Sequence, residues 1–260
     1  LTYDLVPNRD IGLAVHGGTG GVEYDVGVFT GVQDGGRGEG DANDSKSLAV
    51  RVFDEFGGSG PLAGLGLGVA GTWSAQGEAT PPSFKTSIAQ TTFFTYRSGV
   101  AAAGRHTRLA PQASYYHGPF GAFAEYVRSA QVLARTGGGT ARVANTAWQT
   151  AVSWVVTGED ATDKGVTPRN PVSLDDWLAG AVQVALRYAV LNVDGAAFGG
   201  GGGSLADPMV SARAAHELSV GVNWYLDRRL RVLLDASHAR LSGGARGGEW
   251  AAVARLQATF

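Results

Sequence analysis

The feature that most constrains this chain is a two-residue alternation that recurs along nearly its whole length. Successive side chains of a β-strand point to opposite faces of the sheet, so the alternation predicts strands with two different faces. In HELSVGVNWYL, for example, Leu218, Val220 and Val222 share one face, and the residues between them are small or polar. Similar segments, separated by turn sequences, predict about twelve strands and an all-β fold.

The composition of the second face distinguishes two kinds of β protein. In a soluble β-sandwich the polar face meets bulk water and is rich in Lys and Glu. Here that face is mostly Gly, Ala, Ser, Gln and Asn with isolated arginines, and only 17% of all residues are charged. These features favour a transmembrane antiparallel up-and-down β-barrel, with an apolar outer band and a small, polar lumen. A soluble sandwich is the alternative.

Aromatic residues near the ends of the predicted strands favour the membrane interpretation. Trp and Tyr concentrate at membrane–water interfaces because each has an apolar ring and one polar group. The residues predicted to form such girdles are Trp73, Trp148, Trp177, Trp224 and Tyr188. The chain also ends on Phe260 after an alternating strand, an ending typical of outer-membrane barrels.

Charge and residue usage exclude several functional classes. The net charge is −2 and the isoelectric point is near 6.2, so no basic field predicts nucleic-acid binding. The chain has no cysteine, which excludes disulfides and thiolate metal sites. The five histidines are scattered, without the spacing of metal ligands or of a catalytic base beside a nucleophile. We therefore predict no catalytic residues, no metal site and no cofactor, and rate an outer-membrane enzyme as the weakest alternative.

The turn sequences predict one domain, a β-barrel over residues 1–260, with connections of unequal length. YLDRRL (225–230) predicts a tight periplasmic hairpin, and the segments 192–214 and 240–249 are expected as external loops. Counting back from the C-terminus places 31–46 and 158–176 on the periplasmic side, where both are unusually long. The glycine run 199–203 is expected at a loop tip.

Several segments together carry a resemblance to a known family: YDLVPNRDIGLAVHG, GRHTRLAPQASYYHGPFGAFAEYV, ANTAWQTAVSWVVTGED, SARAAHELSVGVNWYLDRRLRV and ARLQATF. They resemble the phosphate-selective porin O and P family over essentially the whole chain. The resemblance implies an outer-membrane barrel of sixteen strands, commonly trimeric, that passes anions and in some members selects phosphate. Because members are longer, it also implies that the first strands and the inward-folded constriction loop lie upstream of Leu1.

Arginines on the inner face are the residues expected to contact anions, since a guanidinium has several donors and keeps its charge. The pore-lining candidates are Arg51, Arg97, Arg187, Arg231 and Arg255, with Arg105 and Arg108 on a poorly defined strand. The alternative is that each arginine pairs with a lumen carboxylate such as Glu125, Glu217 or Asp235.

The functional expectation is a porin of the bacterial outer membrane that passes small anions by passive diffusion, with phosphate as the candidate selected ion. Its expected partners are outer-membrane lipid, small anions and two further copies of itself in a homotrimer, and nucleic acid is not among them. The alternative function is a structural barrel subunit that serves as a scaffold in a larger outer-membrane assembly.

Overall fold

The structure, a computed structural model, describes residues 1–38, 45–200 and 203–259. Parts of the 31–46 connection and of the glycine run, together with the terminal Phe260, lie outside the described residues. The interpretation of Phe260 as an outer-membrane ending therefore stays a prediction.

The fold is an antiparallel all-β arrangement with very little helix, as the alternation predicted. The strands are β1 Gly12–Thr19, β2 Val22–Phe29, β3 Ser47–Glu55, β4 Leu65–Gly77, β5 Phe84–Lys85, β6 Thr92–Phe94, β7 Val100–His117, β8 Phe120–Arg135, β9 Thr140–Val155, β10 Ala181–Asn192, β11 Ala214–Tyr225, β12 Leu230–Ser242 and β13 Gly248–Ala258. Two short 3-10 helices cover Thr2–Leu5 and Gly195–Ala197.

Eleven of these strands form one up-and-down sheet in the order β1-β2-β3-β4-β7-β8-β9-β10-β11-β12-β13. The remaining two, β5 and β6, form a separate small hairpin. Within the described residues the edge strands β1 and β13 do not pair with each other, so the sheet is open.

The strands are strongly staggered. A ladder row is the series of cross-strand partners followed from one strand to the next. The row that starts at Thr19, at the end of β1, crosses the whole sheet and reaches Trp250. Trp250 lies close to the start of β13, which is near the opposite end of the sheet. The rows therefore climb across the sheet because the strands tilt, and strand tilt with stagger is the geometry that barrel closure requires.

The two faces differ as predicted. On β11, Leu218 and Val220 are about half exposed, whereas Glu217 and Ser219 on the opposite face are buried. We call the face with the exposed aliphatic side chains the outer face. The inner face is the one that residues 1–10, 78–99, 193–200 and 203–213 cover.

The connections divide between the two ends of the sheet. The turn end has the connections 20–21, 56–64, 118–119, 156–180 and 226–229, and the loop end has 30–46, 78–99, 136–139, 193–213 and 243–247. The prediction for 31–46 was wrong, because this connection lies at the loop end. The reason is that QTTFFTYR (90–97) resembles a sheet strand in sequence but contributes β6 to the separate hairpin, which shifts the strand count by one.

The predicted girdle aromatics occupy different positions. Trp73 and Tyr188 are exposed on the outer face in the loop-end halves of β4 and β10, and Trp148 is exposed on the same face near the middle of β9. Trp224 lies near the turn end, where its indole Nε1 donates to the Ala179 carbonyl at 2.9 Å. Trp177 is exposed but lies off the strands, in the 156–180 connection.

Candidate functional site: the inner face

Residues 78–99, here called the inner segment, fold over the inner face instead of extending away from the sheet. Its hairpin brings Phe84 and Phe94 together with ring centroids 5.1 Å apart, and both rings are almost fully buried. They belong to a core cluster that includes Leu5 and the inner-wall residues Leu133 and Val143. Burying each such ring stabilises the fold by roughly 2 kcal/mol, which is why this run packs inward.

The inner segment is also attached to the 193–213 connection. Ser211 accepts from the Thr95 backbone N–H at 3.1 Å and donates to its carbonyl at 2.8 Å. The Arg97 guanidinium lies 3.0 Å from the Asp207 carboxylate, and its backbone N–H donates to the Leu205 carbonyl. Arg97 is therefore not on a strand. It joins two connections at the loop end.

Arg187 lies on the inner face of β10 and contacts a carboxylate of the next strand. Its Nη2 is 2.8 Å from Glu217 Oε1 and 3.3 Å from the Ser219 hydroxyl. The other oxygen of Glu217 accepts the backbone N–H of Ser87 at 2.9 Å. Glu217 is 1% exposed and Arg187 is 31% exposed, so one side of the guanidinium stays open toward the interior.

Arg51 lies on β3 and lines an open cavity of about 980 Å³ at the turn end. Its Nη1 is 3.4 Å from the Asp25 carboxylate and 4.0 Å from that of Glu23. The guanidinium also lies over the Phe53 ring, 5.0 Å from its centroid. The cavity wall also includes Gln112, Ser114, Tyr116 and Phe123, together with the charged residues Glu55, Asp163 and Lys164.

Arg231 and Arg255 lie on the neighbouring strands β12 and β13. Arg231 is paired in register with Gln257 and hydrogen-bonds its side-chain oxygen at 3.0 Å, and Arg255 lies one inner-face position before Gln257 on β13. Arg231 also lines a second cavity of about 500 Å³ at the turn end. Within the described residues neither arginine has a carboxylate within ion-pair distance.

The five predicted arginines thus share the interior but do not form one cluster. Arg51, Arg97 and Arg187 each have a carboxylate partner, as the alternative prediction held, although only Arg187 pairs with a carboxylate named in advance. Their role in anion binding stays a prediction.

A sequence model of one family, phosphate-selective porin O and P, matches residues 4–260, which is nearly the whole chain. The chain belongs to this family. No curated protein matches it. The all-β fold agrees with membership of a porin family, and the family indicates a channel rather than an enzyme. Within the described residues, no helix of this porin is long and apolar enough to cross a membrane.

Sequence reasoning missed one buried group of this porin. Asp34 enters from the 30–46 connection, and its carboxylate lies 2.6 Å from Arg108 Nε and accepts the Ser129 hydroxyl at 2.6 Å. His106 Nε2 is 3.1 Å from the same carboxylate, and His106 Nδ1 is 2.8 Å from Gln76 Oε1. We call these five residues the Asp34 cluster. It attaches the 30–46 connection of this porin to β4, β7 and β8.

The charge balance of the cluster follows from its contacts. Burial by itself raises the pKa of Asp34. The Arg108 guanidinium, His106 and the Ser129 hydroxyl together lower that pKa by more than burial raises it, so it lies below its ordinary value. Although Ser, His and Asp meet here, Ser129 and Asp34 contact the same ring nitrogen of His106 and all three are buried. This differs from a catalytic triad, in which the acid and the nucleophile use opposite nitrogens.

The strand that carries Arg105 and Arg108 is now defined. A register shift between Ala102 and His106 includes Gly104, whose φ of +148° favours glycine, and Pro111 lies within the strand. These two breaks obscured the alternation in the sequence. In this porin Arg108 points inward and is buried, whereas Arg105 is exposed on the outer face. Arg108 is an even number of residues from Gln112 and Ser114, so the three side chains point to the same face of a strand. This parity was the signal that could have assigned Arg108 to the inner face.

Proposed function

We propose that this porin forms a lipid-facing barrel in the bacterial outer membrane, works as a homotrimer, and passes small anions, phosphate among them, by passive diffusion. Family membership supports a phosphate-selective porin in general terms. The exposed aliphatic band on one face and the polar residues on the other are the pattern that a transmembrane barrel requires. The anion preference rests on how charge is distributed over the inner face.

The two sides of the inner face differ in charge: β2 and β3 carry an acidic excess, whereas Arg231 and Arg255 on β12 and β13 are matched in number by Asp235 and Glu249. On β2 and β3, Glu23, Asp25 and Glu55 surround the single cation Arg51. On β12 and β13, by contrast, Arg231 and Arg255 have no carboxylate partner among the described residues. A guanidinium without a carboxylate partner is not neutralised by an ion pair, so anions are expected to follow the β12–β13 side. This pair of unpaired arginines is the observation that carries the proposal.

The cations of the turn-end cavity extend this path. Lys164, Arg169, Arg228 and Arg229 line the same 500 Å³ cavity as Arg231, and the acids of its wall are Asp227, Glu159 and Asp160. A positive cavity wall raises the local concentration of anions and speeds their entry, and the effect weakens with salt. Arg187 contributes less to the field because Glu217 offsets its charge.

The test is a measurement of ion selectivity in planar bilayers. Replacing Arg231 and Arg255 with Glu should move the zero-current potential in a KCl gradient toward cation preference. The control is Arg240→Glu with Arg142→Glu, the same change of charge on the outer face, which should leave the potential as it is. Titrating phosphate against chloride then tests whether the pore selects phosphate over other anions. Block of the chloride current by low phosphate concentrations would indicate an oxyanion site. A zero-current potential unaffected by the double substitution would overturn the assignment.

A scaffold role is the second candidate, and one observation favours it. The interior at the loop end is filled by an apolar cluster in which Phe94 and Leu5 are buried. A barrel filled in this way over its full cross-section would not conduct. Absence of conductance from folded protein inserted in a bilayer would support this role over the channel.

A further inference from the structure

Four arginines project from the outer face, where the other strand residues are mainly apolar. These are Arg105 on β7, Arg128 on β8, Arg142 on β9 and Arg240 on β12, and all four are exposed. Within the described residues none of their guanidinium groups has a hydrogen bond or an ion pair. On the inner face Arg51, Arg108 and Arg187 have carboxylate partners, whereas Arg231 and Arg255 do not. The side chains of the four outer residues, here called the arginine row, therefore lack any polar partner in the part of the chain that the structure describes.

The arginine row lies toward one end of the sheet. Arg105 is in the first third of β7, which starts at the loop end, and Arg142 is the third residue of β9, which also starts there. Arg240 is two residues before the end of β12 at the 243–247 connection. Arg128 lies in the half of β8 nearer the same end. The four arginines lie on different ladder rows. Because those rows climb across the sheet, all four arginines nevertheless lie toward the loop end.

Aromatic side chains lie next to the row on its apolar side. Trp148 and Tyr188 contact each other edge to face with centroids 5.5 Å apart, and the Tyr188 hydroxyl is 3.1 Å from His216 Nδ1. His216 is the cross-strand partner of Arg240, and Trp250 stacks on the neighbouring His238 at 4.2 Å. Beyond these rings the outer face is mainly aliphatic as far as the turn end, where Phe120 and Trp154 stack. The order from aliphatic band through aromatic rings to cations is that of a membrane surface read from its core toward its headgroups.

The charges on the outer face indicate which partner fits. Among the described strand residues, the outer face has one carboxylate, Asp54, and it lies at the turn end. A second copy of this chain would therefore bring no acidic row to meet the arginines. A free anion in water would not need the adjacent aromatic and aliphatic surface. An amphipathic molecule with phosphate beside its acyl chains matches both parts of the surface.

We propose that the arginine row binds the phosphate groups of anionic lipid in the leaflet at the loop end. This inference rests on the proposed function, because it requires the outer face to be embedded in a membrane. Each guanidinium offers two parallel N–H donors to a phosphate, while its aliphatic stem lies along the apolar surface. A basic residue at an anionic membrane surface strengthens binding about fivefold. The row thus fixes how deep the sheet sits and which leaflet its loop end faces.

The experiment measures lipid binding by the intact purified porin in detergent. Native mass spectrometry counts bound lipid while bisphosphorylated lipid A is titrated, with zwitterionic phosphatidylcholine as the reference lipid. The test variant replaces Arg105, Arg128, Arg142 and Arg240 with Gln. The matched control replaces Arg51, Arg231 and Arg255 with Gln, so that charge is lost on the inner face only. Heat-modifiable migration on a gel checks that each variant is folded.

The test variant should bind the phosphorylated lipid at least about tenfold more weakly, and the control should bind it as the native protein does. Binding of phosphatidylcholine should be the same in all three proteins. Should the fourfold variant not fold, the pairs R105Q/R142Q and R128Q/R240Q are each expected to show part of the loss. Lipid A binding that is equal in the folded test variant and the native protein would overturn the inference.

Conductance separates this inference from the proposed function. The test variant should still conduct as the native porin does, because its substitutions lie outside the lumen. A native protein that fails to insert into bilayers contradicts the proposed function and this inference together. A native protein that inserts and conducts, but whose lipid binding survives the loss of all four arginines, contradicts this inference alone.

Discussion

The Arg187 guanidinium and the Glu217 carboxylate lie 2.8 Å apart on neighbouring strands, and the same carboxylate accepts the backbone N–H of Ser87. The pair therefore connects the sheet wall to the inner segment. Because Glu217 is almost fully buried, it depends on Arg187 to balance its charge.

Removing only one member of this pair should be costly. Arg187→Gln leaves the Glu217 carboxylate without its cation, and we expect a loss of about 3 kcal/mol in the free energy of unfolding. The double variant Arg187→Gln/Glu217→Gln should regain most of that loss, because no buried charge is left unpaired. Urea unfolding in lipid vesicles measures both. Additive losses in the double variant would show that the pair is not coupled.

The inner segment is expected to limit conductance. Phe94→Ala removes a buried ring from the core cluster, at a cost of about 3–5 kcal/mol, and should loosen the packing of the segment against the wall. Single-channel conductance should rise, or become noisy, in this variant. Trp148→Ala removes a ring from the outer face and serves as the control, with conductance unchanged. Identical conductance in native and Phe94→Ala protein would mean that the segment does not border the ion path.

The orientation of the strands can be tested on β10. Val184→Arg places a charge on the outer face in the aliphatic band and should cost about 2–4 kcal/mol. Ala185→Arg is the matched control, since the adjacent residue points to the inner face and is only partly buried. Gln183 is less suitable because its side chain is bonded to Asn223 and Tyr225. If Val184→Arg and Ala185→Arg lost the same amount of unfolding free energy, that result would contradict the assignment of the two faces.

The Asp34 cluster predicts an acid-sensitive attachment of the 30–46 connection. The pKa of Asp34 is lower in the folded protein than its ordinary value. Its contribution to stability is therefore present above that ordinary value, about 3.9, and is lost as the pH falls through the lower folded value. Asp34→Asn should lose this contribution at neutral pH.

Hydrogen exchange of residues 30–38 as a function of pH measures this effect. In the native protein, protection should fall on acidification below about pH 4. In Asp34→Asn it should already be low at pH 7 and change little with acid. Asp25→Asn, which removes a half-exposed carboxylate from the inner face, is the control. Native protection that does not depend on pH in this range would rule out the proposed attachment.

The sequence by itself determined the fold class and the two faces. Alternation such as that of Leu218, Val220 and Val222 depends only on the local geometry of a strand, so it can be read without knowing any partner. The same holds for tight turns such as 118–119 between β7 and β8, which Gly118 and Pro119 predict. Family membership was also predicted, because several motifs of the family lie in contiguous sequence.

Only the tertiary structure decided which charges meet. Asp34 and Arg108 are separated by 74 residues, and Arg97 meets Asp207 across two connections. The tertiary structure also decided that QTTFFTYR contributes to the inner hairpin and not to the large sheet, because the same alternation fits either position. Pairing between distant side chains depends on how connections fold over the sheet, and local strand geometry contains no information about that. This is why the two faces could be read from the sequence, while the division of the arginines into paired and unpaired residues could not.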